Sequence, residues 1–163
     1  MPAPSSRNRR HDHASTGLPR QYHVQPMSIR DFPAVHALWQ RTEGVGLTES
    51  DSKENVAKFL RRNPGMSFVA RCDRQLVGAV LCGHEGRRGY LHHLAVAPQH
   101  RRQGIGKSLV ESCLAALHSA GILKCNLFVY ENNAAAGDFW QKIGWAKRPD
   151  LRLMQTPTRS RTT

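Results

Sequence analysis

The chain has 163 residues, carries 24 Lys+Arg against 12 Asp+Glu, and is 39% hydrophobic. That length suits one domain and that apolar content supplies a core, which excludes wholesale disorder. No apolar run reaches the roughly 18–20 residues of a membrane-spanning helix, and the apolar stretch of a secretory leader is missing, so neither is expected.

The net charge of +12 is dispersed. Arg7, Arg9, Arg10 and Arg20 face only Asp12 in the first stretch, Arg159 and Arg161 sit near the end, and the rest is scattered over 26–154. No helix bears a continuous basic stripe and no strand an aromatic row that stacks bases, so nucleic acid is not an expected partner. The positive balance suits a small anionic ligand. Cys72, Cys82, Cys113 and Cys125 lie in apolar segments without a CxxC pair. Zinc-ligand spacing is absent, no metal site is expected, and a reducing, cytoplasmic setting fits best.

Residues 1–20, rich in Ser, Pro, Arg and His, read as a flexible arm; the domain is expected over 21–155, with 156–163 a flexible tail. A first strand spans 22–27, with Pro26 near its end. Ser28 or Asp31 then caps a helix in which Phe32, Val35, Leu38 and Trp39 recur at helical spacing. A second helix over 52–62 carries Val56, Phe59 and Leu60 and stops at Asn63-Pro64-Gly65.

Strands at 66–72 and 76–82 flank the turn Asp73-Arg74, and a glycine-bracketed turn over 84–89 leads to a strand at 90–96. A long helix over 104–120 is expected to bury Ile105, Leu109, Val110, Cys113, Leu114 and Leu117, ending at Gly121. A strand at 124–130, a helix at 134–143 and a last strand over 145–154 complete the chain. This order indicates an α+β fold, a mixed and mostly antiparallel sheet with helices on both faces. Strand alternation puts Tyr90, His92, Leu94 and Val96 on one face and His93 on the other.

The chemistry concentrates in 94–108, Leu-Ala-Val-Ala-Pro-Gln-His-Arg-Arg-Gln-Gly-Ile-Gly-Lys-Ser. A strand ends at Pro98 and a two-glycine loop opens directly into a helix. That arrangement gathers free backbone N–H groups and the positive helix end at one point, with Arg101, Arg102 and Lys107 adding charge. The physical reading is an anion site for phosphate or pyrophosphate. A P-loop is excluded because Arg101 stands where its first glycine belongs, and a dinucleotide fingerprint fails at Leu109.

The pattern Arg101-x-x-Gly104-x-Gly106 after Leu94-Ala95-Val96-Ala97-Pro98 resembles the acyl-CoA signature of the GNAT superfamily of N-acetyltransferases. Asn133-Ala134-Ala135-Ala136, then Phe139-Trp140 and Gly144-Trp145, resembles a second element of that family at the expected distance. The resemblance spans roughly residues 22–154 and implies an enzyme that moves an acetyl group from acetyl-CoA to a primary amine by direct attack. It implies that the backbone of Leu94, Ala95 and Val96 pairs with the pantetheine arm, in a slot where the strand at 90–96 splays from that at 124–130. The pyrophosphate would sit on Arg101, Arg102, Gln103, Gly104, Ile105, Gly106 and Lys107, with Asn133 and Trp140 against the arm. A backbone N–H near Val96 would polarise the acetyl carbonyl.

Attack needs a neutral amine, so a base is wanted beside the thioester. Among Tyr90 and His92, at positions where related enzymes often hold an acid or a histidine, His92 is the choice for its pKa. The family usually has Tyr where Trp140 stands, and an indole cannot protonate a departing thiolate at neutral pH. That change also admits a fold that binds acyl-CoA as a sensor or partner module without turnover. The acceptor, a small-molecule or peptide amine, is expected between the first two helices, the 41–51 loop and the 84–89 turn, near Glu43, Glu49, Asp51 and Glu85. A homodimer paired through the last strand is a further expectation.

Overall fold

The computed structural model describes residues 21–158, and the proposed arm at 1–20 and the end of the tail lie outside them. Five strands form one sheet in the order β1-β2-β3-β4-β5. They are β1 (Tyr22–Pro26), β2 (Phe68–Cys72), β3 (Gln75–His84), β4 (Gly89–Val96) and β5 (Cys125–Asn126). The first four pair antiparallel and β4 pairs parallel with β5. Helices α1 (Phe32–Gln40) and α2 (Lys53–Arg62) link β1 to β2, α3 (Ile105–Ser119) links β4 to β5, and α4 (Ala134–Lys142) follows.

The core divides on the sheet. On one face Ile105, Leu109, Val110, Cys113 and Leu117 of α3 meet Ala70, Val77, Val80, Cys82 and Leu91. On the other, Val35, Leu38 and Trp39 of α1 and Val56 of α2 meet Val69, Ala79, Leu81, Ala95 and Ala97. Gly78 lets α3 lie close to the sheet, since a Cβ there would stand 3.0 Å from Leu109 and 3.1 Å from Ile105. Among the described residues no helix is long and apolar enough to cross a membrane.

The expected α+β fold with helices on both faces is found. Three local expectations are corrected. The strand placed at 124–130 pairs only at Cys125–Asn126, and 127–130 leave the ladder. The last strand placed at 145–154 is absent: among the described residues no strand follows α4. With β5 so short there is no ladder for it to join, and Pro149 has no N–H to donate. Leu114, expected inside, is 37% exposed, because it borders an open surface pocket together with His118, Ile122 and Leu123.

The start of α1 is anchored by charge. Ser28 N–H donates to Asp31 Oδ2 at 2.8 Å, and Arg71 of β2 donates to Asp31 Oδ1 at 2.6 Å. Asp31 is 7% exposed, so its charge depends on these partners. Asp31→Ala is expected to destabilise the fold by about 2–4 kcal/mol. Urea unfolding with an unchanged m-value would check this, and a midpoint equal to wild type would refute it.

Candidate active site

The loop between β4 and α3 is shaped by left-handed backbone. Arg102 has φ +59° and Gly104, the residue before α3, has φ +81°. No side chain caps α3, and among the described residues the N–H groups of 102–107 make no backbone hydrogen bond. Unpartnered N–H groups at the positive end of a helix dipole suit an anion. Gly106 keeps it compact: a Cβ there would lie 3.2 Å from Phe139 of α4. Arg101 is spent on architecture, its Nε donating to Val96 O at 3.0 Å. Lys107 lies 3.7 Å from Glu111 on the exposed helix surface, and Arg102 is exposed and makes no ion pair among the described residues.

Beside this loop the sheet opens. β4 and β5 pair at Gly89↔Cys125 and Tyr90↔Asn126 and nowhere beyond, so β4 from Leu91 onward has a free edge. The splay expected between these strands is present. The rings of Tyr90 and Phe128, 6.5 Å apart, stand across its mouth.

A β-bulge interrupts β4. Leu81↔His92 and Ala79↔Ala95 are partners, so β4 holds one residue more than β3 over that step. His93 absorbs the excess with φ +53°. The bulge overturns the expected alternation. Leu94 and Val96 pack on the α3 face, whereas His93 joins His92 on the face of α1 and α2. Trp39, fully buried, holds the bulge by donating its indole N–H to His93 O at 2.9 Å.

Both histidines line a cavity of about 230 Å³ with Ser50, Asp51, Asn55, Val56, Phe59 and Leu81. His93 Nε2 lies 2.7 Å from Asp51 Oδ1. Asp51 Oδ2 accepts the Thr48 N–H at 2.8 Å, so the carboxylate is fixed by a capping box ahead of α2. Burial raises the Asp51 pKa, but the Thr48 N–H and the His93 ring outweigh it and hold the carboxyl below its ordinary value. Burial pushes the His92 imidazole below its ordinary 6.5, His93 adds to that shift, and Asp51 opposes it. The cavity thus joins an ionised carboxylate, a neutral desolvated imidazole and an apolar wall, on the sheet face opposite α3.

Residues 32–145 match the acetyltransferase (GNAT) family. The chain belongs to this family. An acetyltransferase of Pectobacterium atrosepticum is 31% identical over 113 residues, covering 69% of this chain and 79% of its own. The fold is shared with the PaiA N-acetyltransferase of Thermoplasma acidophilum in complex with coenzyme A, at TM-score 0.66 and 22% identity, covering 76% of this chain and 89% of that one. It is shared also with AAC(6')-Iy in complex with the bisubstrate analog CoA-S-monomethyl-acetylneamine, at TM-score 0.67 and 15% identity, covering 86% and 99%. The protein is a GNAT acetyltransferase.

Within this acetyltransferase the residues singled out from sequence fall into two groups. Leu94, Ala95, Val96, Arg101, Arg102, Gln103, Gly104, Ile105, Gly106 and Lys107 lie along the free edge of β4, the loop and the first turn of α3. Ile105 is 1% exposed, so its side chain belongs to the core. Asn133 caps α4, its Oδ1 accepting the Ala136 N–H at 3.0 Å, and Trp140 packs between Phe139 and Trp145. Tyr90 and His92 form the second group, with ring centroids 6.4 Å apart on the cavity face. Of the four carboxylates weighed for the acceptor only Asp51 lines the cavity, and the 84–89 turn does not reach it.

Sequence reasoning missed the Asp51–His93 pair and the Trp39 clamp. The Thr48-x-x-Asp51 spacing was a usable signal for a fixed carboxylate. The bulge at His93 had none.

Proposed function

We propose that this acetyltransferase moves the acetyl group of acetyl-CoA to a primary amine by direct attack within a ternary complex. The observation carrying this reading is the uncapped N-terminus of α3 beside the point where β5 leaves β4. The pyrophosphate is held by the N–H groups of 102–107 with Arg102, and the pantetheine arm pairs with the free edge of β4 at Leu94, Ala95 and Val96. Asn133 and Trp140 of α4 border that arm. The bulge at His93 leaves a residue outside the ladder, and its backbone polarises the acetyl carbonyl.

The amine enters the cavity on the opposite face. Asp51 attracts its ammonium, Val56, Phe59 and Leu81 pack its carbon stem, and His92 takes the proton that must leave before attack. Tyr90 borders His92 and closes the site towards Phe128. Small primary amines and peptide amines both present such an ammonium. The cysteines stay out of the chemistry: Cys72, Cys82 and Cys113 are buried free thiols, and burial pushes Cys125 up to about 12. Free thiols also favour a reducing, cytoplasmic setting.

Calorimetric titration with acetyl-CoA and with free CoA tests the central claim. Micromolar binding of both is expected, with no acetylated protein by mass spectrometry after incubation without amine. A folded protein that binds neither would overturn the reading.

A further inference from the structure

Acetyl transfer imposes more proton traffic than one base handles. The ammonium sheds a proton before attack, the nitrogen sheds a second once bonded to carbon, and the departing sulfur needs one. His92 accounts for the first. The remaining requirement is a group that takes a proton from nitrogen and hands it to sulfur, both bonded to the same carbon in the tetrahedral intermediate.

Resting on the acetyl-transfer reading, we propose that Asp51 and His93 form this shuttle, with Asp51 a positioning residue and His93 a catalytic one. The 2.7 Å contact runs from His93 Nε2 to a carboxylate oxygen. An ionised carboxylate only accepts hydrogen bonds, so Nε2 carries the hydrogen, which leaves Nδ1 as the nitrogen that bears the lone pair whenever the ring is neutral. Nδ1 makes no hydrogen bond among the described residues, and His100 alone has enclosed ring nitrogens without partners. Nδ1 is therefore not enclosed, and it belongs to a ring that lines the cavity.

Both ends of the pair are held rigidly. Asp51 is locked by the Thr48 N–H and hydroxyl, at 2.8 and 3.3 Å. His93 is locked by the bulge, by Trp39 on its carbonyl, and by an edge-on contact with the Trp39 ring, their centroids 5.1 Å apart. The titratable groups facing His93 are Asp51 from the turn before α2 and His92 from β4; α1 presents Trp39, and α2 presents Val56 and Phe59. An ordered imidazole with a fixed tautomer, backed by a carboxylate, is the arrangement that accepts and returns a proton.

The step balances. The amine nitrogen bonds the carbonyl carbon and the π pair moves to oxygen. His93 Nδ1 takes the N–H proton, and its electron pair returns to nitrogen. The carbonyl re-forms as the C–S bond breaks, its pair leaving on sulfur, and His93 returns the proton to give the CoA thiol. The amide and the thiol are the products, and the proton taken earlier by His92 goes to solvent.

Asp51→Asn, Asp51→Glu and His93→Gln in the full chain test this by two measurements. Imidazole ¹⁵N NMR of the free protein is expected to show His93 as the Nε2–H tautomer, with mixed tautomers in Asp51→Asn. Steady-state kinetics are expected to show kcat down about 10²-fold in Asp51→Asn and His93→Gln. KM for acetyl-CoA should stay within about twofold, and Asp51→Glu should recover part of the loss. His93→Gln leaves the Thr48–Asp51 contacts intact, so it separates chemistry from collapse of the turn. An Nδ1–H tautomer in wild type, or wild-type kcat in Asp51→Asn, overturns the shuttle. Wild type that neither binds nor consumes acetyl-CoA instead overturns the acetyl-transfer reading, a different outcome in the same experiment.

Discussion

Gly104→Val is expected to weaken acetyl-CoA binding about 10²-fold or more, roughly 2.7 kcal/mol. The cause is backbone conformation and not crowding. A Cβ at Gly104 meets only Tyr22 Oη at 3.5 Å, an ordinary contact, but φ is +81°. A β-branched residue resists that region at a cost of order 1–3 kcal/mol, which the loop relieves by rotating. Rotation turns the N–H groups of 103–106 away from their common point. Gly121→Val is the matched control: its φ is +76°, nothing lies within 4 Å, and it sits at the opposite end of α3. It is expected to lose similar stability and keep wild-type affinity. Calorimetry on both variants decides, and equal affinities would remove the loop from the cofactor site.

His92→Ala is expected to lower kcat about 10²-fold or more while leaving acetyl-CoA affinity unchanged. The imidazole lies on the cavity face, away from the loop, so donor binding does not depend on it. The pH dependence follows from burial, which sets the His92 pKa below 6.5. The ring is neutral and able to accept a proton across neutral pH, and the rate falls only as pH drops through that lowered value. Stability follows the same sign. Below 6.5 the unfolded histidine takes up a proton that the buried one resists, so wild type loses stability as pH falls, and His92→Ala loses less. Urea midpoints above and below that pH check this, and turnover equal to wild type would exclude His92 as the base.

The helices and most strands were legible because their apolar periodicity is unbroken. Phe32, Val35, Leu38 and Trp39 repeat along α1, and a turn signal separates β2 from β3 at Asp73, whose φ is +54°. The anion loop was legible for another reason. Left-handed backbone and close approach demand glycine at Gly104 and Gly106, and that demand is local. The ends of the sheet were less legible: 127–130 and 145–154 have strand composition, but a strand exists only where a neighbour supplies hydrogen bonds.

The chain by itself therefore determined the fold class, the family, and the loop that suits a pyrophosphate, all carried by spacing between near neighbours. Tertiary structure alone decided the acceptor side. Alternation at period two holds only while a ladder is regular, and the extra residue at His93 arises from how β4 meets β3 and how Trp39 grips its carbonyl. That shift brings His93 beside His92 and onto Asp51, which is 42 residues away in the chain. Contacts of that range arise from packing and leave no periodic trace in the residues that make them.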